Sequence, residues 1–287
     1  MAHSLERIIR KCFHQQTLRQ TEESSGHGIW VCMAITRFGI TQLEAPFVAM
    51  IYVARGQQDW FILDHVIANG TSHQKLHLNP DQFVVIIWIG TNDVGINSFV
   101  TDSQKSNISL ADLAQCQINA LRRMHSLGAR QFILNSLIPL QITKLYSNSS
   151  DPVIYWPEEH DGPAWNKRMF NFVTTLNTLL KSGINNLNAE WKCSGTGGFV
   201  EYFDTYGFFE ELYYNPNAYY NGSIPANVTS WCHKCPNPLD YHFCGIGDCT
   251  EDERDSYMWW DELHPSEQTG RNVAQEMFKK IHGTSRF

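Results

Sequence analysis

The feature that most constrains the fold of this chain is a strand, a helix and a second strand in succession between residues 83 and 138. The run Phe83 to Ile89, FVVIIWI, is continuously apolar, which is typical of a strand buried on both faces of a parallel sheet. A helix is predicted next, with Ser109 as its N-cap and Gly128 as its C-cap. Gln131 to Ile138, QFILNSLI, is predicted as the second strand. Such a unit places both strands parallel in one sheet and predicts an α/β fold.

The rest of the chain continues this alternation of helices and strands. A second helix is predicted from about Pro163 to Ser182, with Gly183 as its stop. A short strand is predicted near Phe199 to Phe203, and the last helix begins near Pro265. Ligands of open α/β sheets bind beyond the carboxyl ends of the strands, so we expect the chemistry at that edge.

Composition excludes several classes of protein. The 287 residues can bury a sizeable core, and 43% hydrophobic with 18% charged residues is ordinary globular usage. A net charge of −7 without a basic stripe argues against a nucleic-acid partner. No stretch reaches the roughly 18 apolar residues that a membrane helix needs. No repeat or linker divides the chain, so we expect a single domain over residues 26–287 after an irregular segment at 1–25.

The cysteines and N-x-S/T sequons indicate an oxidising, secretory environment and a disulfide-bonded glycoprotein. There are eight cysteines, and four of them form the pattern C-x2-C-x8-C-x4-C from Cys232 to Cys249. Disulfides are favoured over a zinc site, because the second pair does not have C-x2-C spacing, and the pairing stays open. The N-terminal residues MAHSLERIIRKCFHQQ lack the apolar region of a signal peptide, so we expect a truncated or misread N-terminus.

The first motif with chemical potential is Gly90-Thr91-Asn92-Asp93, where the first buried strand ends. A glycine there lets the backbone turn sharply. The side chain of Asn92, just beyond the strand, can direct its N–H groups into a cleft and stabilise a developing oxyanion. The alternative is an asparagine that only caps a turn.

The second motif is Asp261-Glu262-Leu263-His264-Pro265, just before the last helix. Pro265 suits the first helical position, which leaves His264 extended at the helix entrance. Asp261 can accept the imidazole N–H, fix the tautomer and stabilise the imidazolium formed during proton abstraction. The alternative is a local capping interaction without a substrate.

In this order, the two motifs resemble the GDSL lipase/acylhydrolases of the Ser-Gly-Asn-His (SGNH) hydrolase superfamily. IWIGTNDVG is similar to the family's third block and WWDELHPSEQTG to its fifth, and TDSQ and GARQFILNSLIPL resemble secreted fungal members. The resemblance covers roughly residues 26–287 and is strongest from Phe83 onward. It implies a three-layer α/β/α, flavodoxin-like domain with a mostly parallel sheet of about five strands.

The resemblance also implies the roles of an ester hydrolase for individual residues. In the family, a serine of the first block attacks the ester carbonyl, and a histidine of the fifth block removes its proton. Carried over to this sequence, His264 is the general base, Asp261 orients it, Asn92 is an oxyanion donor and Gly90 supports the turn. No cofactor or metal is implied.

The first two blocks are where the chain departs from the family pattern. The first block should read like F-G-D-S after an apolar strand, and His3-Ser4-Leu5 is only a faint echo of it. The nucleophile is therefore unknown, and Ser4 is a poor candidate because terminal residues rarely hold a fixed geometry. Gly28 ranks first as the glycine of the second block, with Gly56 as the other candidate. We expect the N-terminal part of the fold to be incomplete.

Three hypotheses remain for the function. The first is a secreted, monomeric hydrolase of acyl or acetyl esters, acting on a small-molecule or polysaccharide ester. The second is a non-catalytic relative or truncated gene product that keeps the cleft as a binding site. The third is a zinc-stabilised binding module built on the cysteine cluster.

Overall fold

The computed structural model describes residues 84–287. These residues divide into two compact units, one made of 84–137 with 174–203 and the other of 138–173 with 204–287. The predictions for Ser4, Gly28 and Gly56 lie outside the described residues. The prediction of one domain over 26–287 stays a prediction.

Strands and helices alternate along the described part of the chain. The strands are β1 (Val85–Ile87), β2 (Gln131–Asn135), β3 (Phe199–Phe203), β4 (Asn227–Trp231) and β5 (Tyr257–Trp259). The α-helices are α1 (Thr91–Val94), α2 (Leu110–Ser126), α3 (Gly162–Ser194), α4 (Thr205–Tyr214) and α5 (Glu267–Ile281). Short 3₁₀ helices cover Phe99–Thr101, Leu140–Ile142, Pro216–Ala218, Tyr241–Phe243 and Arg254–Ser256.

The first unit is built on a parallel sheet in the order β1-β2-β3. Val85 lies opposite Phe132, and Gln131 lies opposite Phe199. β1 and most of β2 are buried, as expected for apolar strands covered on both faces. The predicted α/β class with parallel strands is confirmed.

The helix between β1 and β2 has the two ends that the sequence predicts. At its start, the Ser109 hydroxyl accepts from the Asp112 N–H and the Asp112 carboxylate accepts from the Ser109 N–H, a complete capping box. At its end, Gly128 has a φ of +109° and its N–H donates to the His125 carbonyl. The Ala129 N–H donates to the Met124 carbonyl, which completes a Schellman motif.

The predicted stop at Gly183 is wrong, because α3 continues to Ser194. A β-carbon at position 183 would lie 2.8 Å from Cγ1 and 2.9 Å from Cδ1 of Ile118 in α2. The glycine therefore permits close packing of two helices in the first unit. The cost of glycine inside a helix, about 1 kcal/mol, is offset by this contact.

Two asparagines on the C-terminal part of α3 bind the backbone of the first unit. The Asn177 amide accepts from the Leu137 N–H at 2.8 Å and donates to the Leu137 carbonyl at 3.0 Å. The Asn188 amide makes the same pair of bonds with Val200 of β3, at 2.8 and 2.9 Å. Backbone groups that the β2–β3 pairing leaves over are thereby satisfied.

The second unit contains β4 and β5, which pair in parallel, and the last helix, α5. The helix begins at Glu267 with Ser266 as its N-cap, so the prediction that Pro265 is its first residue is wrong. The Ser266 hydroxyl accepts from the Thr269 N–H, and capping by a serine side chain places the start after the proline. Among residues 84–287, no helix is long and apolar enough to cross a membrane.

Candidate active site

The Asp261–His264 motif lies in a tight loop between β5 and α5 of the second unit. Trp259 pairs with Pro265 across the loop, and the Trp260 N–H donates to the His264 carbonyl at 2.7 Å. The Ser266 N–H then donates to the Met258 carbonyl at 2.9 Å. Because both ends of the loop are bonded to each other, the side chains that it carries start from a fixed backbone.

Within this loop, Asp261 and His264 form a direct and largely buried pair. Nδ1 of His264 lies 2.9 Å from Oδ1 and 2.7 Å from Oδ2 of Asp261. Oδ1 also accepts from the backbone N–H groups of Leu263 and His264, at 2.9 and 2.7 Å. The exposed fraction is 14% for the histidine side chain and 7% for the aspartate side chain. The structure thus brings together the two residues that the sequence motif predicts as a pair.

The charge of Asp261 decides the tautomer of His264. Burial by itself raises the pKa of Asp261, but the hydrogen bonds and charge of His264, with a hydrogen bond from Tyr155, hold it below its ordinary value. An ionised carboxylate is only an acceptor, so Nδ1 carries the proton. The lone pair of the neutral ring is then on Nε2, the atom that takes the nucleophile's proton in a Ser–His–Asp arrangement.

A tyrosine joins this pair from a distant part of the sequence. The Tyr155 hydroxyl lies 2.7 Å from Oδ2 of Asp261 and 3.0 Å from Nδ1 of His264. Its ring meets the imidazole edge to face, with 5.3 Å between the ring centroids. Tyr155 therefore adds a third side chain to the two that the motif contributes, as far as residues 84–287 show.

The glutamate inside the motif is buried and serves as a backbone acceptor. Glu262 is 7% exposed, and its Oε2 accepts from the Ile154 N–H at 2.7 Å. Burial raises the pKa of Glu262 to about 7. Its main-chain carbonyl accepts from the Leu145 N–H at 3.0 Å. Glu262 thus binds the segment that carries Tyr155.

The Gly90–Asp93 motif lies in the first unit, just beyond β1. Gly90 has a φ of +117°, and a β-carbon there would lie 3.1 Å from both Gln117 Nε2 and Leu137 Cδ1. The glycine is needed for its backbone angle and for the close approach of its neighbours. Asn92 is exposed in the short helix α1, while Asp93 is buried.

The cysteine cluster of the second unit forms two nested disulfides, Cys232–Cys249 and Cys235–Cys244. The preference for disulfides over zinc is confirmed, and the pairing that the sequence left open is now assigned. The His233, Cys235 and Cys244 donor atoms lie within 4.8 Å of one another. Both of these sulfurs are held in a disulfide, so neither offers the thiolate that a zinc site requires.

Sequence reasoning missed Tyr155 and the structural role of Glu262. Tyr155 is 106 residues from Asp261, and no spacing rule connects them. The only local signal is the stretch VIYW between Pro152 and Pro157. The prolines on both sides argue against a strand, yet the stretch is rich in aromatic residues. The role of Glu262 is hidden because the letters of the motif do not show which way each side chain faces.

Comparisons with known proteins agree on one family. The family described as GDSL-like Lipase/Acylhydrolase matches residues 51–277. An acetylesterase from Hypocrea jecorina is 27% identical over 210 residues, which cover 71% of this chain and 58% of the relative. GDSL esterase/lipase 7 from Arabidopsis thaliana is 25% identical over 214 residues, which cover 69% of this chain and 52% of the relative. The chain thus spans only 52–58% of the length of these two relatives. With four fifths of its residues inside the matched range, the chain belongs to the GDSL-like lipase/acylhydrolase family.

Proposed function

We propose that this protein is a GDSL-type ester hydrolase in which His264 is the general base and Asp261 orients it. The observation that carries the proposal is the buried pair, with Nδ1 of His264 at 2.7 Å from Oδ2 of Asp261. The chain belongs to a family of lipases and acylhydrolases, and this membership indicates ester hydrolysis as the reaction that the pair serves. A capping interaction alone would not require both side chains to be buried.

In the proposed reaction, Nε2 of His264 takes the proton of a serine hydroxyl as the oxygen attacks the ester carbonyl. The imidazolium that forms is stabilised by the Asp261 carboxylate, and its proton then passes to the leaving alcohol. Water repeats the same sequence on the acyl-enzyme and releases the acid. The serine is not assigned, since the N-terminal candidates lie outside the described residues.

Asn92 is the proposed side-chain donor to the oxyanion of the tetrahedral intermediate. It follows a buried strand of a parallel sheet, where ligands of α/β proteins bind. Gly90 lets the chain turn at that point with its φ of +117°. A neutral amide donor stabilises the developing charge without itself requiring deprotonation.

The proposed substrates are acyl or acetyl esters of a small alcohol or a polysaccharide. The Hypocrea jecorina relative is named as an acetylesterase, which favours the acetyl group. We further propose a monomeric protein of the secretory pathway. Two disulfides support this location. Three sequon asparagines are exposed: Asn107, Asn148 and Asn221.

The rate of 4-nitrophenyl acetate hydrolysis tests the proposal. His264→Ala removes the base and is expected to lower kcat/KM by about 10³-fold. Asp261→Asn favours the wrong tautomer and is expected to cost about 10²–10⁴-fold. Asn92→Ala removes one oxyanion donor and is expected to cost about 10²–10³-fold, mainly in kcat.

His242→Ala is the matched control for this experiment. His242 also pairs with an aspartate, Asp240, at 2.8 Å, but its side chain is 96% exposed. The control is expected to hydrolyse the ester at the wild-type rate. Equal rates for the wild type and His264→Ala would overturn the proposal and favour the non-catalytic relative.

A further inference from the structure

We propose that Tyr155 is a positioning residue of the Asp261–His264 pair, whose hydroxyl donates to the aspartate and fixes the carboxylate against the imidazole. This inference rests on the proposed function for its catalytic meaning. The contact itself is independent of any activity, because it joins three side chains of the same unit.

The direction of the Tyr155 hydrogen bond follows from the acceptors around it. Oδ2 of Asp261 lies 2.7 Å away and accepts only, so the hydroxyl hydrogen is directed to it. The lone pairs of the hydroxyl then face Nδ1 of His264, which carries a proton at 3.0 Å. The phenol thus donates to the carboxylate, and its oxygen shares the single Nδ1–H proton with the carboxylate, so one group contacts both partners.

The tyrosine completes the set of donors to the carboxylate. Oδ1 is fixed by the backbone N–H groups of Leu263 and His264. Oδ2 contacts two side-chain donors, the imidazole Nδ1 and the Tyr155 hydroxyl. Without the hydroxyl, His264 is the one side-chain donor left to Oδ2 among residues 84–287, and the rotation of the carboxylate is less restricted. Hydrogen bonds to a carboxylate also favour its charged form, which is the form that the imidazolium needs.

The motif itself holds the segment that presents Tyr155. Val153 and Trp156 exchange N–H···O=C bonds at 3.0 Å in each direction, which makes a closed turn around Tyr155. Glu262 Oε2 accepts from the Ile154 N–H inside that turn. Asp261 and Glu262, adjacent in sequence, therefore bind adjacent residues of the turn, one through a side chain and one through the backbone. The hydroxyl is therefore placed by two independent contacts, its own bond to Asp261 and the bond from Ile154 to Glu262. A residue that lay nearby only by chance would not require both.

Tyr155→Phe tests the proposal, because it deletes the hydroxyl and keeps the ring. With 4-nitrophenyl acetate we expect kcat to fall by about tenfold with little change in KM, since the substrate is still bound but the base is less well oriented. The pKa of Asp261, followed by NMR of its labelled carboxyl carbon, is expected to rise, because one donor to the charged form is gone.

Tyr220→Phe is the matched control, since it also deletes one hydrogen-bonded tyrosine hydroxyl of this unit. Tyr220 is 5% exposed and its hydroxyl lies 2.9 Å from Oγ1 of Thr269. The control is expected to lower the melting temperature without changing kcat or the titration of Asp261. Tyr155→Phe with an unchanged Asp261 titration would overturn the inference, as would an equal kcat loss in the control.

Glu262 gives a second test that leaves the tyrosine in place. Glu262→Gln keeps an oxygen acceptor for the Ile154 N–H and is expected to retain kcat, while Glu262→Leu removes it and is expected to match Tyr155→Phe. A wild-type kcat in Glu262→Leu would overturn the inference that the bond from Ile154 to Glu262 holds Tyr155 in place. If the wild type hydrolyses no ester, the proposed function fails, but the carboxyl titration still decides the role of Tyr155.

Discussion

At the scale of single residues, the hydrogen-bond donors around a buried carboxyl group decide in which direction its pKa moves. Asp261 keeps its charge inside the protein because it accepts several hydrogen bonds, from the backbone as well as from side chains. Asp93 is also buried, but its Oδ1 has no hydrogen-bond partner among the residues that the structure describes. Burial raises the pKa of Asp93 to about 7. The two aspartates show that the hydrogen-bond donors, more than depth, decide which carboxyl ionises.

The raised pKa of Asp93 predicts how the stability of the protein depends on pH. Its folded pKa of about 7 exceeds its ordinary value of 3.8, so the folded state binds more protons between these values. The free energy of unfolding therefore falls as pH rises from about 4 to about 7. Asp93→Asn should lack this part of the dependence, which amounts to about 3–4 kcal/mol at most. Urea unfolding at pH 4 and pH 8 measures it, and parallel changes in the wild type and the variant would contradict it.

The residues of the pair were predictable from sequence, and their third partner was not. Asp261 and His264 are three residues apart in one loop, so a local pattern is enough to link them. Tyr155 reaches the same carboxylate only through tertiary structure. Such a contact depends on the path of the whole chain, which a single sequence does not encode in any local spacing.

At the scale of elements, local chemistry predicted both ends of α2 but missed the Ser266 cap at the start of α5. The ends of α2 follow from Ser109 and Gly128, each of which acts on its nearest backbone groups. Gly183 was misread because the same residue type serves two purposes, as a helix terminator and as a small surface for a neighbour. Only the contact with Ile118 distinguishes them.

Gly183→Ala tests the packing role of the glycine. A methyl group would lie within 3 Å of the Ile118 side chain, so we expect the free energy of unfolding to fall by about 1–3 kcal/mol. Ile118→Ala should make room, so that adding Gly183→Ala to it costs less than in the wild type. Urea unfolding of the four proteins measures this coupling. A stabilisation of about 1 kcal/mol by Gly183→Ala alone, the helix-propensity effect, would contradict the account.

At the scale of the whole molecule, the sequence predicted the parallel sheet more completely than it predicted the disulfides. The strand–helix–strand unit predicted the parallel sheet because burial on both faces leaves a continuous apolar run, as in β1 and β2. The cysteine spacing predicted disulfides but not their nesting, since four cysteines allow three pairings. The outer bond, Cys232–Cys249, has a sequence separation of 17 and by itself is worth about 3 kcal/mol in the chain-entropy account.

The central claim is that His264 activates a serine of this protein for attack on an ester. A fluorophosphonate probe tests it most directly, because the probe bonds only to a hydroxyl whose proton a base removes, and the added mass is read by mass spectrometry. We predict one probe per wild-type and His242→Ala chain, on a serine that peptide mapping identifies, with labelling about 10³-fold slower in His264→Ala. Equal labelling of the wild type and His264→Ala, or no labelling of the wild type, would contradict the account.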